Sequence, residues 1–365
     1  MTQSRRPRSS NQQTKTQLTK AQLTNTQPMK TRAKSKVASK SKSNQSKGLH
    51  PRNIHNQGYD FNALVSHTPQ LAAFVRPNPY GNASIDFADP KAVKMLNLAL
   101  LRLHYRLEYW DIPAGFLCPP IPGRVDYLHY LADLIGANGS KGKKTTKAMI
   151  RALDIGTGAN GIYPILGVQS YGWQFVASDI EPKSLANVQR IIDNNVSLQG
   201  KIALRQQTNS KQIFKGVINP DDRFDVTLCN PPFHSSASEA SQGSERKLKN
   251  LAANRQAKGR DVKRTANKPS LNFGGQQAEL WCDGGEQRFL LDMITESQQF
   301  ASQCLWFTSL VSKKDNLKSC YRTLERLGAA SVKTIEMAQG NKLTRVLAWS
   351  FLEPSQQQVW QQYRC

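Results

Sequence analysis

The stretch Leu153-Asp154-Ile155-Gly156-Thr157-Gly158-Ala159-Asn160-Gly161 decides the fold. It closes an apolar run that begins at Met149 and reads as a strand, and it opens an apolar segment near 160–170 that reads as a helix. Glycines at 156, 158 and 161 have the GxGxxG spacing, which lets the backbone turn tightly and come close to a nucleotide-like ligand. The spacing alone is a weak signal, because a dinucleotide site and a purely structural turn share it. The next apolar run, 174–178, ends at Asp179, 23 residues after Gly156. A carboxylate there can accept two hydrogen bonds from ribose hydroxyls, which implies a ribose without naming the ligand.

Outward from this loop, strands and helices alternate. Strands are expected at 149–154, 174–178, 202–205, 224–229, 304–309, 332–337 and 346–352, and helices near 160–170, 182–196, 286–302 and 315–327. Alternating units of this kind imply right-handed crossovers and a parallel sheet with helices on both faces. The last two strands are joined only by 338–345, too short for a crossover, so they should form an antiparallel hairpin. Upstream, Asp89-Pro90 reads as a helix start, with Leu96, Leu100, Leu103 and Leu107 on one face and an end near Trp110. The proline-rich 118–124 should be a stiff connection to a second helix over 127–135, and the polar, basic 139–147 a linker. The expected organisation is therefore a basic arm (1–50), a mainly helical part (51–145) and an α/β domain (146–365) carrying a basic loop at 234–272. No internal repeat is apparent.

The chain has 365 residues, room for a sizeable core, and 50 Lys and Arg against 26 Asp and Glu, a formal charge of +24. Such a surplus attracts polyanions, and nucleic acid is the first partner to consider. Twelve of the basic residues lie in the first 50, with no acid and no aromatic. That segment cannot bury enough apolar area to order itself and should be disordered. It reads as a sequence-blind phosphate-binding arm or as a plain solvated tail; a transit peptide fits poorly without an amphipathic stripe. Between 246 and 268 nine Lys or Arg face one acid, Asp261, in a stretch without periodicity. Six widely spaced cysteines without a CxxC or Cys/His pair argue against a zinc site and a disulfide scaffold, and read as reduced cytosolic thiols. No run approaches the roughly 18 apolar residues of a membrane helix, and no signal-peptide core is present, so a soluble, cytoplasmic protein is expected.

The strand at 224–229 runs directly into Asn230-Pro231-Pro232-Phe233-His234, at the sheet edge where open α/β folds bind ligands. A strand-terminating turn is the plain reading. The string also resembles the (D/N)PP(Y/F) signature of methyltransferases that act on planar, amide-like or exocyclic amino nitrogens. Such a nitrogen is a poor nucleophile because its lone pair is delocalised into the ring. If the Asn230 side-chain oxygen and the Pro231 carbonyl accept the two amino hydrogens, the nitrogen can pyramidalise and aim its lone pair. Pro231 and Pro232 stiffen the backbone, and Phe233 offers a face for stacking. Asn in the first position leaves protein glutamine, guanine N2 and adenine N6 open as targets; the charge balance favours RNA over protein. His234 reads as local packing rather than a general base, since the methylated ammonium is acidic enough to lose its proton to water. Cys229 reads as a small core residue, and Phe273-Gly274-Gly275 and Trp281 as possible RNA contacts, Trp281 equally as a core anchor.

Longer strings extend the resemblance. Tyr80-Gly81 with 84–90, Trp110-Asp111-Ile112-Pro113-Ala114-Gly115, Cys118-Pro119-Pro120-Ile121-Pro122-Gly123-Arg124, 156–164, 230–234, Leu280-Trp281-Cys282 with Gly284-Gly285-Glu286, 308–313 and Glu336-Met337-Ala338-Gln339-Gly340 together resemble the bacterial 23S ribosomal RNA adenine-N6 methyltransferase F family. The match covers roughly 51–352. It implies the Rossmann-like, seven-stranded class I fold of S-adenosylmethionine-dependent methyltransferases, with a mainly helical N-terminal extension. It implies methylation of N6 of one specific adenosine in 23S ribosomal RNA, free or in a large-subunit assembly intermediate, by a monomer needing no metal, no membrane and no covalent intermediate. Arg124 would contact the methionine carboxylate as a bidentate pair, with a helix-entry salt bridge as the alternative. Asp154 would orient the loop or the methionine ammonium, and Gly156, Thr157, Gly158, Gly161 and Asp179 complete the cofactor set. Asn230, Pro231, Pro232 and Phe233 form the catalytic set. The alternatives are a guanine-N2 ribosomal RNA methyltransferase and a non-catalytic RNA-binding assembly factor on the same scaffold. The long basic arm and the length of the basic loop depart from the family pattern.

Overall fold

The computed structural model describes residues 48–136, 149–235, 281–339 and 342–364. The arm ahead of 48, the expected linker at 139–147, the basic loop from 236 onward and Phe273-Gly274-Gly275 lie outside the described residues. Ser46–Cys365 form one compact unit.

The N-terminal part is mainly helical. Phe61–His67 (α1) is followed by a two-residue antiparallel ladder of Arg76–Pro77 (β1) with Ala83–Ser84 (β2). Pro90–Tyr105 (α2) begins where its signals predict: Asp89 accepts a hydrogen bond from the Lys91 amide at 2.9 Å, and Pro90 sits in the first turn, where an N–H is not needed. It stops at Tyr105, short of the expected 110, because Arg106 takes a left-handed conformation with φ 53° and the amides of Arg106 and Leu107 both donate to the Leu101 carbonyl. Ile121–Leu134 (α3) starts inside the proline-rich string expected to be a connection, with Pro122 tolerated in its first turn.

Seven strands form the sheet: Arg151–Ile155 (β3), Gln174–Asp179 (β4), Ile202–Gln206 (β5), Phe224–Cys229 (β6), Cys304–Val311 (β7), Ser331–Gln339 (β8) and Lys342–Ser350 (β9). Their order is β5-β4-β3-β6-β7-β9-β8, parallel throughout except that β9 runs antiparallel to both β7 and β8. The expected α/β sheet with a terminal hairpin is thus present, its last strands longer than expected, so that β8 and β9 pair from Ser331 with Ser350 to Gln339 with Lys342. The helices are Ile162–Tyr171 (α4), Pro182–Asp193 (α5), Gly285–Ser297 (α6), Asn316–Arg326 (α7) and Pro354–Gln362 (α8). Where 182–196 and 286–302 were each expected as one helix, α5 and α6 end early and short 3-10 turns follow.

Strand side chains alternate between two cores. Ala152, Phe175 and Ala177 join Leu128 of α3, Ile165 of α4 and Ile191 of α5, whereas Leu153, Ile155 and Val176 join Met293 of α6 and Leu324 of α7. Helix α4 lies so close to β4 that a Cβ on Gly167 would stand 2.4 Å from the Phe175 ring. Helix α8, which sequence periodicity did not announce, is fastened by one buried carboxylate. Asp225 of β6 accepts from Trp360 Nε1 at 3.0 Å and Arg364 Nε at 2.7 Å, while its other oxygen accepts the Arg151 amide at 2.9 Å. No described helix is long and apolar enough to cross a membrane.

Candidate active site

The strand order reverses between β3 and β6, and ligands of open parallel sheets bind at the carboxyl ends of strands flanking such a reversal. Register makes the placement specific. Ile155 pairs with Ser178 on one side and Cys229 on the other, so Gly156, Asp179 and Asn230 leave three adjacent strands at one level. Above them opens a cavity of about 1070 Å³. Arg124, Gly156, Thr157, Gly158 and Asp179 line it, as do Asn230 and Pro232. Asp154 and Pro231 are buried, and neither they, Gly161 nor the half-buried Phe233 line it.

The glycine loop is braced from both sides. The amides of Gly156 and Thr157 both donate to the Ser178 carbonyl at 2.9 Å, and the Gly158 amide donates to Asp179 at 2.8 Å. From the helical part, Trp110 Nε1 donates to the Asn160 carbonyl at 3.0 Å and Asn160 Nδ2 to the Leu117 carbonyl at 3.3 Å; from α5, Asn187 donates to the Ala159 carbonyl at 2.7 Å. The glycines serve different ends. Gly156 has φ +71° and open space where a Cβ would stand, so its conformation requires glycine, whereas a Cβ on Gly161 would also press on Val188 at 3.1 Å.

Two carboxylates sit under this loop. Asp179 accepts Gly158 N–H on one oxygen and Glu181 N–H, at 2.9 Å, on the other; each oxygen keeps a further lone pair for a ribose hydroxyl. Burial raises its pKa. Asp154 is fully buried, and among the described residues neither of its oxygens meets a partner in good hydrogen-bond geometry. Desolvation pushes its pKa up to about 7, with the charge of Asp179 acting the same way and Thr157 and the Arg124 guanidinium opposing. Arg124 donates to the Tyr163 hydroxyl at 2.8 Å and lies over that ring, 5.5 Å from its centre. Sequence reasoning assigned Tyr163 nothing, although it stands two residues past Gly161 in a quoted string.

On the neighbouring strand end, Asn230 Oδ1 is buried and accepts no hydrogen bond from the described residues. The Cys229 thiol is buried and its pKa driven far up by desolvation, consistent with a core residue. His234 forms a short parallel bridge with Trp281, the Cys282 amide donating to the His234 carbonyl at 3.1 Å. Two glutamates the sequence reading left without a role build the surrounding frame. Glu286 accepts the amides of Ser312 and Lys313 at 2.7 and 3.1 Å and Asn316 Nδ2 at 2.6 Å, and Glu296 gathers the amides of Ile213, Phe214 and Lys215 at 2.7–2.8 Å.

A seven-stranded sheet ending in an antiparallel hairpin, with a glycine loop and an Asn-Pro-Pro-Phe string side by side at its switch point, defines a methyltransferase. A family model described as RNA methyltransferase matches residues 43–353, and the chain belongs to that family. Among curated relatives, the ribosomal RNA large subunit methyltransferase F of Shewanella loihica is 69% identical over 325 residues, spanning 86% of this chain and 81% of its own length. Its namesake from Shewanella frigidimarina is 63% identical over 314 residues, 85% of this chain and 86% of that protein. Among solved structures, the human METTL16 catalytic domain in complex with MAT2A 3′UTR hairpin 1 superposes with a TM-score of 0.67 at 29% identity, covering 84% of this chain and 96% of that one. The N-terminal domain of human METTL16 in complex with SAH gives 0.65 at 28%, covering 84% and 100%.

Proposed function

We propose that this chain transfers the methyl group of S-adenosylmethionine to the N6 amine of one specific adenosine in 23S ribosomal RNA, acting as a cytoplasmic monomer on the RNA or on a large-subunit assembly intermediate. The observation that carries the reading is the buried, unpartnered Asn230 Oδ1 at the end of β6, beside the glycine loop. A buried polar atom left unpaired costs about 1–3 kcal/mol. A substrate amine would supply the missing donor. The names of the Shewanella relatives support ribosomal RNA of the large subunit as substrate, and the formal charge of +24 supports an RNA partner.

The residues present fit such a cofactor. An unpartnered Asp154 carboxylate beneath the loop suits a methionine ammonium, the Arg124 guanidinium its carboxylate, and Asp179 a ribose. When bound, S-adenosylmethionine supplies an electrophilic methyl on a positively charged sulfur. Asn230 Oδ1 accepts one amino hydrogen and the Pro231 carbonyl the other, which draws the nitrogen out of conjugation and directs its lone pair into the cavity. Pro231 and Pro232 hold that carbonyl in one direction. Phe233 stacks on the base, a contact worth on the order of 1–3 kcal/mol. Tyr163 fixes Arg124 against its ring. The amine is held rather than deprotonated, and no side chain is needed as a general base.

Asn230→Ala tests the reading. Methyl transfer should fall by at least a hundredfold (about 2.7 kcal/mol), with dissociation constants for RNA and cofactor within about twofold of the parent. Retention of full activity would remove the proposed hydrogen bond.

A further inference from the structure

Asn230 Oδ1 has a counterpart in the lining of the same cavity. Trp281 lines the same space, tied through its bridge with His234 to the tail of the Asn230–His234 string. Its indole N–H is buried and has no acceptor among the described residues. Three other tryptophans are paired: Trp110 donates to the Asn160 carbonyl, Trp349 to Ser297 Oγ at 2.9 Å and Trp360 to Asp225. An indole N–H can only donate. Among the described residues that line the cavity, four buried polar atoms lack a partner: the hydroxyls of Thr157 and Ser184 and, on two segments whose backbones are hydrogen-bonded to each other, an acceptor on Asn230 and a donor on Trp281.

A ligand that satisfies both must present a donor beside an acceptor. Adenine does so on either side of its amine, because the N6 hydrogens are flanked by the acceptors N1 and N7. The 2-amino group of guanine does so on its N3 side alone, since its other neighbour is N1–H, a second donor that would confront the indole N–H. We infer that Trp281 Nε1–H donates to the ring nitrogen next to the target amine and thereby favours adenine, which offers such a nitrogen on both sides of its amine. This rests on the role proposed for Asn230. A base edge with no acceptor beside its amine leaves the buried donor unpaired and is strongly disfavoured.

Trp281→Phe keeps an aromatic ring and removes the N–H. The test measures single-turnover methylation of RNA whose target is adenosine, 1-deazaadenosine or 7-deazaadenosine, by the parent and by the variant, with cofactor affinity measured in parallel. The variant should lose about tenfold to a hundredfold on adenosine with cofactor affinity unchanged. One deaza substrate, whichever lacks the nitrogen that is read, should slow the parent by a similar factor and slow the variant much less. Equal rates of parent and variant on adenosine would overturn the inference, as would a loss confined to cofactor affinity, or deaza penalties the same in both proteins. If the variant does not fold, the parent alone decides, since equal rates on all three substrates contradict a read ring nitrogen. Failure of the parent to methylate N6 of adenosine would instead remove the proposed function and the inference with it.

Discussion

Asp154 carries the sharpest residue-scale consequence. Its pKa, raised from 3.8 up to about 7, means that between these values the folded, ligand-free protein holds a proton that the unfolded chain has released. Stability from this group is therefore greatest below about pH 4 and falls as pH rises through 7, by about 1.4 kcal/mol for each pH step between the two values, on the order of 4 kcal/mol in all. Asp154→Asn should flatten the decline of ligand-free stability between pH 5 and 8, measured by urea unfolding at each pH. In the proposed complex a cofactor ammonium favours the ionised form, so cofactor affinity of the parent should rise from pH 6 to 8 and that of the variant should not. A variant with the parent's pH dependence in both measurements would place the titration elsewhere. At this scale the sequence was legible wherever the signal is local. The glycines, Asp179 and Asn230 are read from spacing along three strand ends. The Tyr163 hydroxyl on Arg124 and the unpaired indole of Trp281 were not, because each depends on a partner, or its absence, across 39 or more positions of chain.

At the scale of elements, the parallel strands and their crossovers follow from apolar runs of the right length, and the closing hairpin from a connection too short for a helix. Boundaries were less legible where the physical signal is conformational. Nothing in the residue type announces that Arg106 turns left-handed, and a proline string reads equally as linker or as a first turn. Helix α8 is rich in Gln and presents a weak apolar pattern; what holds it is the Asp225 network, formed 135 and 139 positions away in sequence. Gly167 shows how an element is set by its neighbour, since α4 approaches β4 at a distance only a missing side chain permits. Gly167→Ala should destabilise by about 1–2 kcal/mol, the cost of overpacking less the gain in helix propensity. Its urea midpoint reads this directly; a stabilised variant would mean that the Phe175 ring yields freely and that α4 is not pinned there.

For the whole molecule, the C-terminal segment closes the fold onto its helical beginning. Arg364 pairs with Asp225 on β6 and donates to the Ile135 carbonyl just past α3 at 2.8 Å, joining three distant parts of the chain. The pair is buried, with side-chain exposures of 7% and 6%, so removing one partner strands a charge. Arg364→Ala should cost about 3–5 kcal/mol in denaturant unfolding, and the double variant with Asp225→Asn should recover part of it; a loss below about 1 kcal/mol would leave the segment without a clamping role. The same architecture brings the glycine loop and Asn230 to one level of the sheet, and that juxtaposition carries the functional account. Its most direct test is incubation of the protein with methyl-labelled S-adenosylmethionine and ribosomal RNA from cells lacking the gene, followed by digestion and mass-spectrometric identification of the labelled nucleoside. The account predicts N6-methyladenosine at a single position of 23S RNA; N2-methylguanosine, or no label on any RNA whether free or in particles, would contradict it.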